Sequence, residues 1–358
     1  MTLANDHPRS VSLREVAQAA GVSGQTVSRV ANNATNVAEP TRQKVLAAMA
    51  DLGYRPNVAA RALRRGSFGS IGVVVFTLGT LGNIRTIAGI VAEAARRDYA
   101  VELIQVQPGT EEGEREGQVS SALSRLGQDA VDGIIVIIES HLISKSALVF
   151  PDGIPSIIVE AGARPDRPSI NADQINGARL AVRHLLDLGH PTVWHVAGPS
   201  ESNSARERTE TWREILEDEQ RAVPEPFLGD WSAASGYRAG LALADLAEAT
   251  AVFASNDQMA LGVLRALHER GVRVPDDVSV VGFDDMDEAA HFWPPLTTVH
   301  QFFEDAGSLA VSLIIDEIQG RDLAPGVRTV ATELVVRQST GPYTGPRPVP
   351  PPIPQENP

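Results

Sequence analysis

The chain has 358 residues, more than a single domain of roughly 100–200 residues holds, so two or three domains are expected. Hydrophobic residues make up 43% and charged residues 21%, a balance that supports a buried core and excludes wholesale disorder. Cysteine is absent, which excludes disulfide scaffolds, thiolate-bound metal sites and a cysteine nucleophile.

Apolar runs such as Ile134 to Ile138 fall far short of the ~20 residues a membrane-crossing helix needs. The polar stretch from Met1 to Ser10 lacks the apolar core of a secretion signal. A cytoplasmic protein with no membrane association is the expectation. The net charge of −14 is unevenly spread. Residues 1–67 carry nine Arg or Lys against four Asp or Glu, so this stretch is +5 and the remainder −19. A small basic head on a large acidic body is the footprint of a modular DNA-binding protein, although chance clustering gives the same count.

The head reads as short helices. Ser12-Leu-Arg-Glu15 has the spacing of a capping box, Leu13, Val16, Ala17 and Ala20 share one helical face, and Gly21 supplies a stop. Ser23 restarts the chain as a second N-cap, with Val27 and Val30 facing inward. A third helix follows Pro40, with Val45, Met49 and Leu52 at helical spacing and Gly53 at its end. Helix, glycine-containing turn, helix and supporting helix form a helix-turn-helix pattern. The outer face of its second helix offers Gln25, Thr26, Ser28 and Arg29, side chains that bond base edges or phosphates; a generic three-helix packing unit is the plainer reading. The Ala-rich segment from Asn57 to Arg65 is too short to be a stable helix alone, since isolated helices below ~12–15 residues are marginal in water. It reads either as a linker or as a hinge helix that folds on a partner and inserts Leu63 into a minor groove.

From Ser70 the pattern becomes α/β. Apolar β-runs are expected at 71–77, 101–106, 133–138, 156–160, 192–197, 251–255 and 278–283. Helical stretches are expected near 85–98, 114–126, 174–188, 205–218, 234–247 and 257–270. Near-continuous β-branched runs between amphipathic helices imply buried parallel sheets, and some 270 residues of this pattern imply two doubly wound units with a ligand cleft at the carboxyl ends of their strands. The last 18 residues, 341–358, include eight prolines and read as a disordered or polyproline-like tail, with a PxxP-type ligand as the sharper alternative.

Several motifs carry a family resemblance. Ser12-Leu-Arg-Glu-Val-Ala-Gln-Ala-Ala-Gly-Val-Ser23, Gln25-Thr-Val-Ser-Arg-Val30, Arg55-Pro-Asn57 and Ala59 to Leu63 stand in the head. The body adds His190, Ala197-Gly-Pro199, Ser204-Ala-Arg206, Asp230-Trp-Ser232, Ser255-Asn-Asp-Gln-Met-Ala-Leu-Gly262 and Asp277-Val-Ser-Val-Val-Gly-Phe-Asp-Asp285. Pro294-Pro-Leu-Thr-Thr-Val299 and Gln301 come after them. Over about residues 11–340 the chain resembles the LacI/GalR repressor family, above all its lactose-responsive branch. The resemblance implies an α/β protein with a helix-turn-helix DNA-binding head (1–56) and a hinge helix (57–67). A periplasmic-binding-protein-like body of two doubly wound α/β subdomains that binds an effector and dimerises (68–340) and a Pro-rich tail (341–358) complete it. It implies a homodimer on a near-palindromic operator DNA, answering to a small-molecule sugar, with no cofactor or metal and no enzymatic activity.

Carried over by position, Gln25, Thr26, Ser28 and Arg29 would meet the major groove, and Asn57, Ala60 and Leu63 the minor groove. Glu160, Ser204, Arg208, Trp231, Asn256, Asp284 and Gln301 would form the effector pocket: an indole face for the C–H face of a pyranose, and polar groups for its hydroxyls. There are departures from the family pattern. Gly24 replaces an aromatic residue before Gln25, which implies a related but different operator. Glu160 stands for an aspartate, Ile137 replaces a polar contact, and the stretch from Thr80 to Thr86 differs where an aglycone would lie. Enzymatic readings are weak: Gly-x-Ser-x-Gly, His-Glu-x-x-His and the phosphate-binding Gly-x-x-x-x-Gly-Lys are absent. A sugar-transport or chemoreception protein would share the body but would need a secretion signal and no basic head. Corepression of the purine type stays open.

Overall fold

The computed structural model describes residues 11–31, 34, 36–54, 67–106, 112–128 (backbone alone over 112–116), 131–137, 149–159 and 167–346. The chain divides into two compact units, Met1–Phe68 and Gly69–Pro358.

In the first unit, α1 (Leu13–Ala20), α2 (Gly24–Ala31) and α3 (Glu39–Leu52) enclose a small core. The capping box is formed: the Glu15 amide donates to Ser12 Oγ at 3.3 Å, and the Ser12 amide donates to the Glu15 carboxylate at 2.7 Å. Gly21 and Gly53 end their helices in the left-handed region at φ 65° and 64°, which costs glycine no Cβ clash. Ser23 caps α2 by accepting from the Thr26 amide at 3.2 Å. Val16, Val27, Val30, Val45 and Met49 fill the core. Leu52 does not: it is the last residue of the helix, just before Gly53, and is exposed.

The second unit holds two six-stranded sheets, each the centre of a subdomain. The N-terminal one contains β1 (Ser70–Val75), α4 (Leu81–Arg96), β2 (Ala100–Gln105), α5 (Glu112–Gln128), β3 (Gly133–Ile137), β4 (Ser156–Val159) and β5 (Pro168–Ala172). The chain then crosses to the C-terminal subdomain. There it forms α6 (Gln174–Asp187), β6 (Trp194–Ala197), α7 (Asn203–Asp218), β7 (Phe227–Leu228), α8 (Ala233–Ala244), β8 (Ala251–Ala254), α9 (Asp257–Glu269), β9 (Ser279–Asp284) and β10 (Thr297–Gln301). It returns for α10 (Phe303–Ile318) and β11 (Gly326–Val330), and crosses a third time into β12 (Thr332–Val335).

The first sheet has the order β11-β5-β4-β3-β1-β2 and is parallel throughout. The second, β12-β10-β9-β8-β6-β7, is parallel except at its edge, where β12 runs antiparallel to β10. The sheets are therefore not purely parallel as the β-runs suggest; the last crossing delivers β12 in the opposite direction. Inner strands such as β3 and β4 are buried at every residue, as a sheet covered on both faces requires. α10 seals the N-terminal sheet with Ala310, Val311, Ile314 and Ile315, although it arrives after the whole C-terminal sheet has been laid down.

The start of the expected tail is not free. Gly341 donates its amide to Ser279 Oγ at 3.0 Å, and the Tyr343 amide donates to the Leu188 carbonyl at 2.9 Å. Gly341 and Tyr343 are thus hydrogen-bonded to the body beyond residue 340; the remaining tail prolines from Pro348 on lie outside the described residues.

Candidate functional site

A cavity of about 280 Å³ opens between the two subdomains at the carboxyl ends of their strands, where open α/β sheets place their ligands. The C-terminal subdomain supplies most of its wall. Ser204 and Arg208 come from α7 after β6, Trp231 from the turn after β7, Asn256 and Gln258 from the start of α9 after β8, Asp284 from the end of β9 and Gln301 from the end of β10. From the other side come Gly79 to Gly82 at the start of α4, and Phe303.

The polar wall is a closed ring. Arg208 donates through Nε to Gln174 Oε1 at 2.8 Å, Gln174 donates to Gln301 Oε1 at 2.8 Å, and Gln301 donates to Asp284 Oδ1 at 2.6 Å. Arg208 Nη2 closes the ring 3.9 Å from Asp284, and Nη1 donates to the Ser255 carbonyl. A guanidinium at one end, which only donates, and a carboxylate at the other, which accepts, fix both amide orientations between them. The Arg208 guanidinium lies 3.7 Å from the centre of the Phe283 ring and 5.6 Å from that of Trp231.

Burial pushes the Asp284 carboxyl up to about 6, with Arg208 and the Gln301 hydrogen bond pulling the other way. Beneath it, fully buried Asp257 is raised well above the usual carboxylate range, first by burial and then by Asp284. It accepts from Thr298 Oγ1 at 2.6 Å and the Met286 amide at 2.8 Å. His195, behind Arg208, is held neutral: burial lowers it to about 3, against a hydrogen bond with the Phe253 carbonyl.

Trp231 sits at φ 69°, an unusual conformation for a non-glycine residue. Its ring lies against Gly198, where a Cβ would collide with it. Asn256 holds the turn. Its Nδ2 donates to the Trp231 carbonyl at 3.1 Å and to Gln258 Oε1 at 2.9 Å, while its Oδ1 caps α9 by accepting from the Met259 amide at 2.9 Å. Asn256 lines the cavity, yet its amide is engaged by these bonds, which tie the turn carrying Trp231 to the start of α9.

Ser204, Arg208, Trp231, Asn256, Asp284 and Gln301 thus converge on one cavity. Glu160 lies outside the described residues, as do Asn57, Ala60 and Leu63 of the hinge. Ile137 is buried in the N-terminal core and does not line the cavity. The stretch noted as atypical, Thr80 to Thr86, does reach the wall through Thr80, Leu81 and Gly82. Gln174 and Phe303 were not singled out from the sequence. Each opens a helix directly after a crossing between subdomains, and that position was the available signal. At the rim Arg85 of α4 pairs with Asp287 of the opposite subdomain, bridging the two walls.

On the head, Gln25 and Arg29 are exposed on α2, with Thr26 and Ser28 half-buried between them, opposite the buried Val27 and Val30. A polar outer face on the second helix of a helix-turn-helix can enter a major groove.

A helix-turn-helix head joined to a two-subdomain binding body defines a DNA-binding regulator that answers to a small molecule. The family model for bacterial regulatory proteins of the lacI family matches residues 12–57, and that for the periplasmic binding protein-like domain matches residues 182–340. The lactose operon repressor of Escherichia coli (strain K12) is 34% identical over 93% of this chain and 91% of its own length. The repressor PurR of Mannheimia succiniciproducens is 32% identical over 92% of this chain and 98% of its own. Among solved structures, a lac repressor dimer bound to operator and the anti-inducer ONPF aligns with a TM-score of 0.79 at 34% identity, covering 93% of this chain and 100% of that one. A complex of the regulator CelR with cellobiose aligns with a TM-score of 0.66 at 29% identity, covering 92% and 99%. The chain belongs to the LacI family of bacterial regulatory proteins: it is a DNA-binding transcriptional repressor with a small-molecule effector, not an enzyme. No helix among the described residues is long and apolar enough to cross a membrane.

Proposed function

We propose that this repressor is released from a near-palindromic operator by a glycoside or disaccharide, with galactose-containing sugars as the first candidates. One observation carries the reading: the cavity sets an indole face beside the Arg208–Gln174–Gln301–Asp284 ring. Neighbouring hydroxyls of a pyranose each need a donor and an acceptor, and such a ring supplies both within a few ångströms. Glu160, Ser204, Arg208, Trp231, Asn256, Asp284 and Gln301 form the proposed effector set, Asn256 by positioning Trp231. Gln25, Thr26, Ser28 and Arg29 read the major groove, Arg29 gripping guanine and Gln25 adenine. Asn57, Ala60 and Leu63, in a hinge at 57–67, enter the minor groove as two copies pair. The sugar favours the body conformation in which the hinges cannot pair, so operator affinity falls.

Corepression by a purine is the second reading, favoured by the 32% identity to PurR. Operator binding titrated with lactose, galactose, other glycosides and purines separates the two. Release by a galactoside supports the proposal, release by another glycoside corrects only the sugar, and tighter operator binding with a purine overturns it.

A further inference from the structure

The parallel order of the N-terminal sheet brings the amino ends of β1, β2 and β3 together, at the pole opposite the effector cleft. The chain enters the body at this pole through Gly69, the residue just before β1. Gly69 is held on both sides. Its amide donates to the carboxylate of half-buried Asp132 at 2.6 Å, and its carbonyl accepts from the Ala100 amide at 2.8 Å. Asp132 in turn donates its own amide to the Ser70 carbonyl at 2.8 Å. Gly69 sits at φ 67°, a left-handed turn that a residue with a Cβ adopts only under strain.

The end of the ladder accounts for the carboxylate. Pairing of β1 with β3 begins at Ile71 opposite Gly133, two residues after Gly69, so the ladder supplies no acceptor for the Gly69 amide. Asp132, one residue before β3, supplies it from its side chain. A carboxylate on a backbone N–H makes a charge-assisted bond, roughly twice as strong as a neutral one. The first residue of the body is thereby fixed at the point where everything before it, the head included, is attached.

Operator recognition depends on that point. Two recognition helices on one operator must meet half-sites at a set spacing, which is a geometric property of the dimer. Any residue left loose at the exit must be ordered on binding, and affinity falls accordingly. Unrelated DNA is held through its phosphates and imposes no such spacing.

We propose that Asp132 is a positioning residue for operator recognition: by holding the Gly69 amide it fixes where and in which direction the head leaves the body. It acts in this way whichever effector fills the cleft.

The test uses the full chain with two DNA probes at one salt concentration: a palindromic duplex selected by the wild-type protein from a random-sequence pool, and a shuffled duplex of the same length. Asp132→Ala should bind the selected duplex about fivefold more weakly or worse, the effect of ordering one further residue, and should bind the shuffled duplex as the wild type does. Asp132→Asn keeps an acceptor oxygen and should restore most of the discrimination. A residue that only stabilises the fold would move the melting temperature and leave the ratio of the two affinities alone. Gly69→Ala has room for its methyl group, whose nearest neighbour is the Asp98 carbonyl oxygen at 3.8 Å, but is strained at φ 67°. It disturbs the same exit without touching Asp132, so it too should lower the discrimination, and it decides the matter where Asp132→Ala does not fold. An unchanged ratio in the folded variants overturns the proposal. Equal loss on both duplexes overturns it as well, since the damage would then lie in the DNA contacts of the head.

Discussion

Trp231 gives the cleft an aromatic face and Asp284 an acidic group. The indole is held in place by Asn256 and by the missing side chain at Gly198, so its position is fixed before a ligand arrives. Trp231→Ala should keep operator binding and lose the sugar response. A stacked aromatic contributes about 0.5–1.5 kcal/mol beyond its buried area, so the releasing concentration should rise several-fold or more in an operator titration; an unchanged concentration counts against the stacking role. Asp284 carries a cost. Its folded-state value of about 6 lies above the ordinary carboxylate value of about 4, so the folded state holds the proton more tightly than the unfolded chain. The stability this group contributes is therefore full below pH ~4 and is lost as pH rises through about 6. Asp284→Asn, which mimics the neutral form, should raise the melting temperature at pH 7.5, and the gain should vanish as pH falls towards 4. The same variant should respond less to sugar, because an amide is a weaker acceptor than a carboxylate for hydroxyl groups. A melting temperature that is unchanged at pH 7.5 would contradict the burial cost.

At the scale of elements, the recognition helix is set by two short signals, the Ser23 cap and the inward Val27 and Val30, which turn Gln25 and Arg29 outward. Arg29→Ala should therefore leave the fold and sugar binding intact and reduce operator-specific affinity. A bidentate Arg–guanine contact is worth about 1–3 kcal/mol, so each half-site should lose about five- to 150-fold, compared at one salt concentration. Equal loss on unrelated DNA would make Arg29 a phosphate contact instead. The three head helices and the inner strands β1, β3, β4, β8 and β9 were legible in the sequence, because a cap, a glycine stop or a mostly apolar run marks each. β5, β7, β10, β11, β12 and α10 were not. β7 has two residues, β5 reads Pro-Ser-Ile-Asn-Ala, and β11 alternates half-buried with exposed positions at a sheet edge. α10 is apolar enough to be found, but nothing local says that it belongs to a sheet laid down before residue 173. In the cleft, the residues carried by motifs were found, whereas Gln174 and Phe303 depend on chain crossings that only the tertiary fold reveals.

For the molecule as a whole, three chain crossings join the subdomains at residues 172–174, 301–303 and 330–332, which lets them pivot about three closely spaced segments rather than one. Gln174, Gln301 and Phe303 sit at two of these crossings and also line the cleft, so a ligand that binds there touches the pivot directly. Such a body can transmit a change to two heads only if two bodies are paired, and a near-palindromic operator demands the same symmetry. The assembly should stop at two. A further pairing of dimers through a coiled coil needs leucines at heptad spacing, and residues 338–358 contain no leucine, so they do not supply one. Residues 341–343 are instead hydrogen-bonded to the body, and the prolines beyond them cannot continue a helix. Sedimentation equilibrium of the 38.1 kDa chain should give twice that mass over a wide concentration range, and the chain truncated after Pro346 should give a dimer as well. A stable tetramer that survives the truncation would show that the subdomain surfaces, and not the C-terminal stretch, set the assembly size.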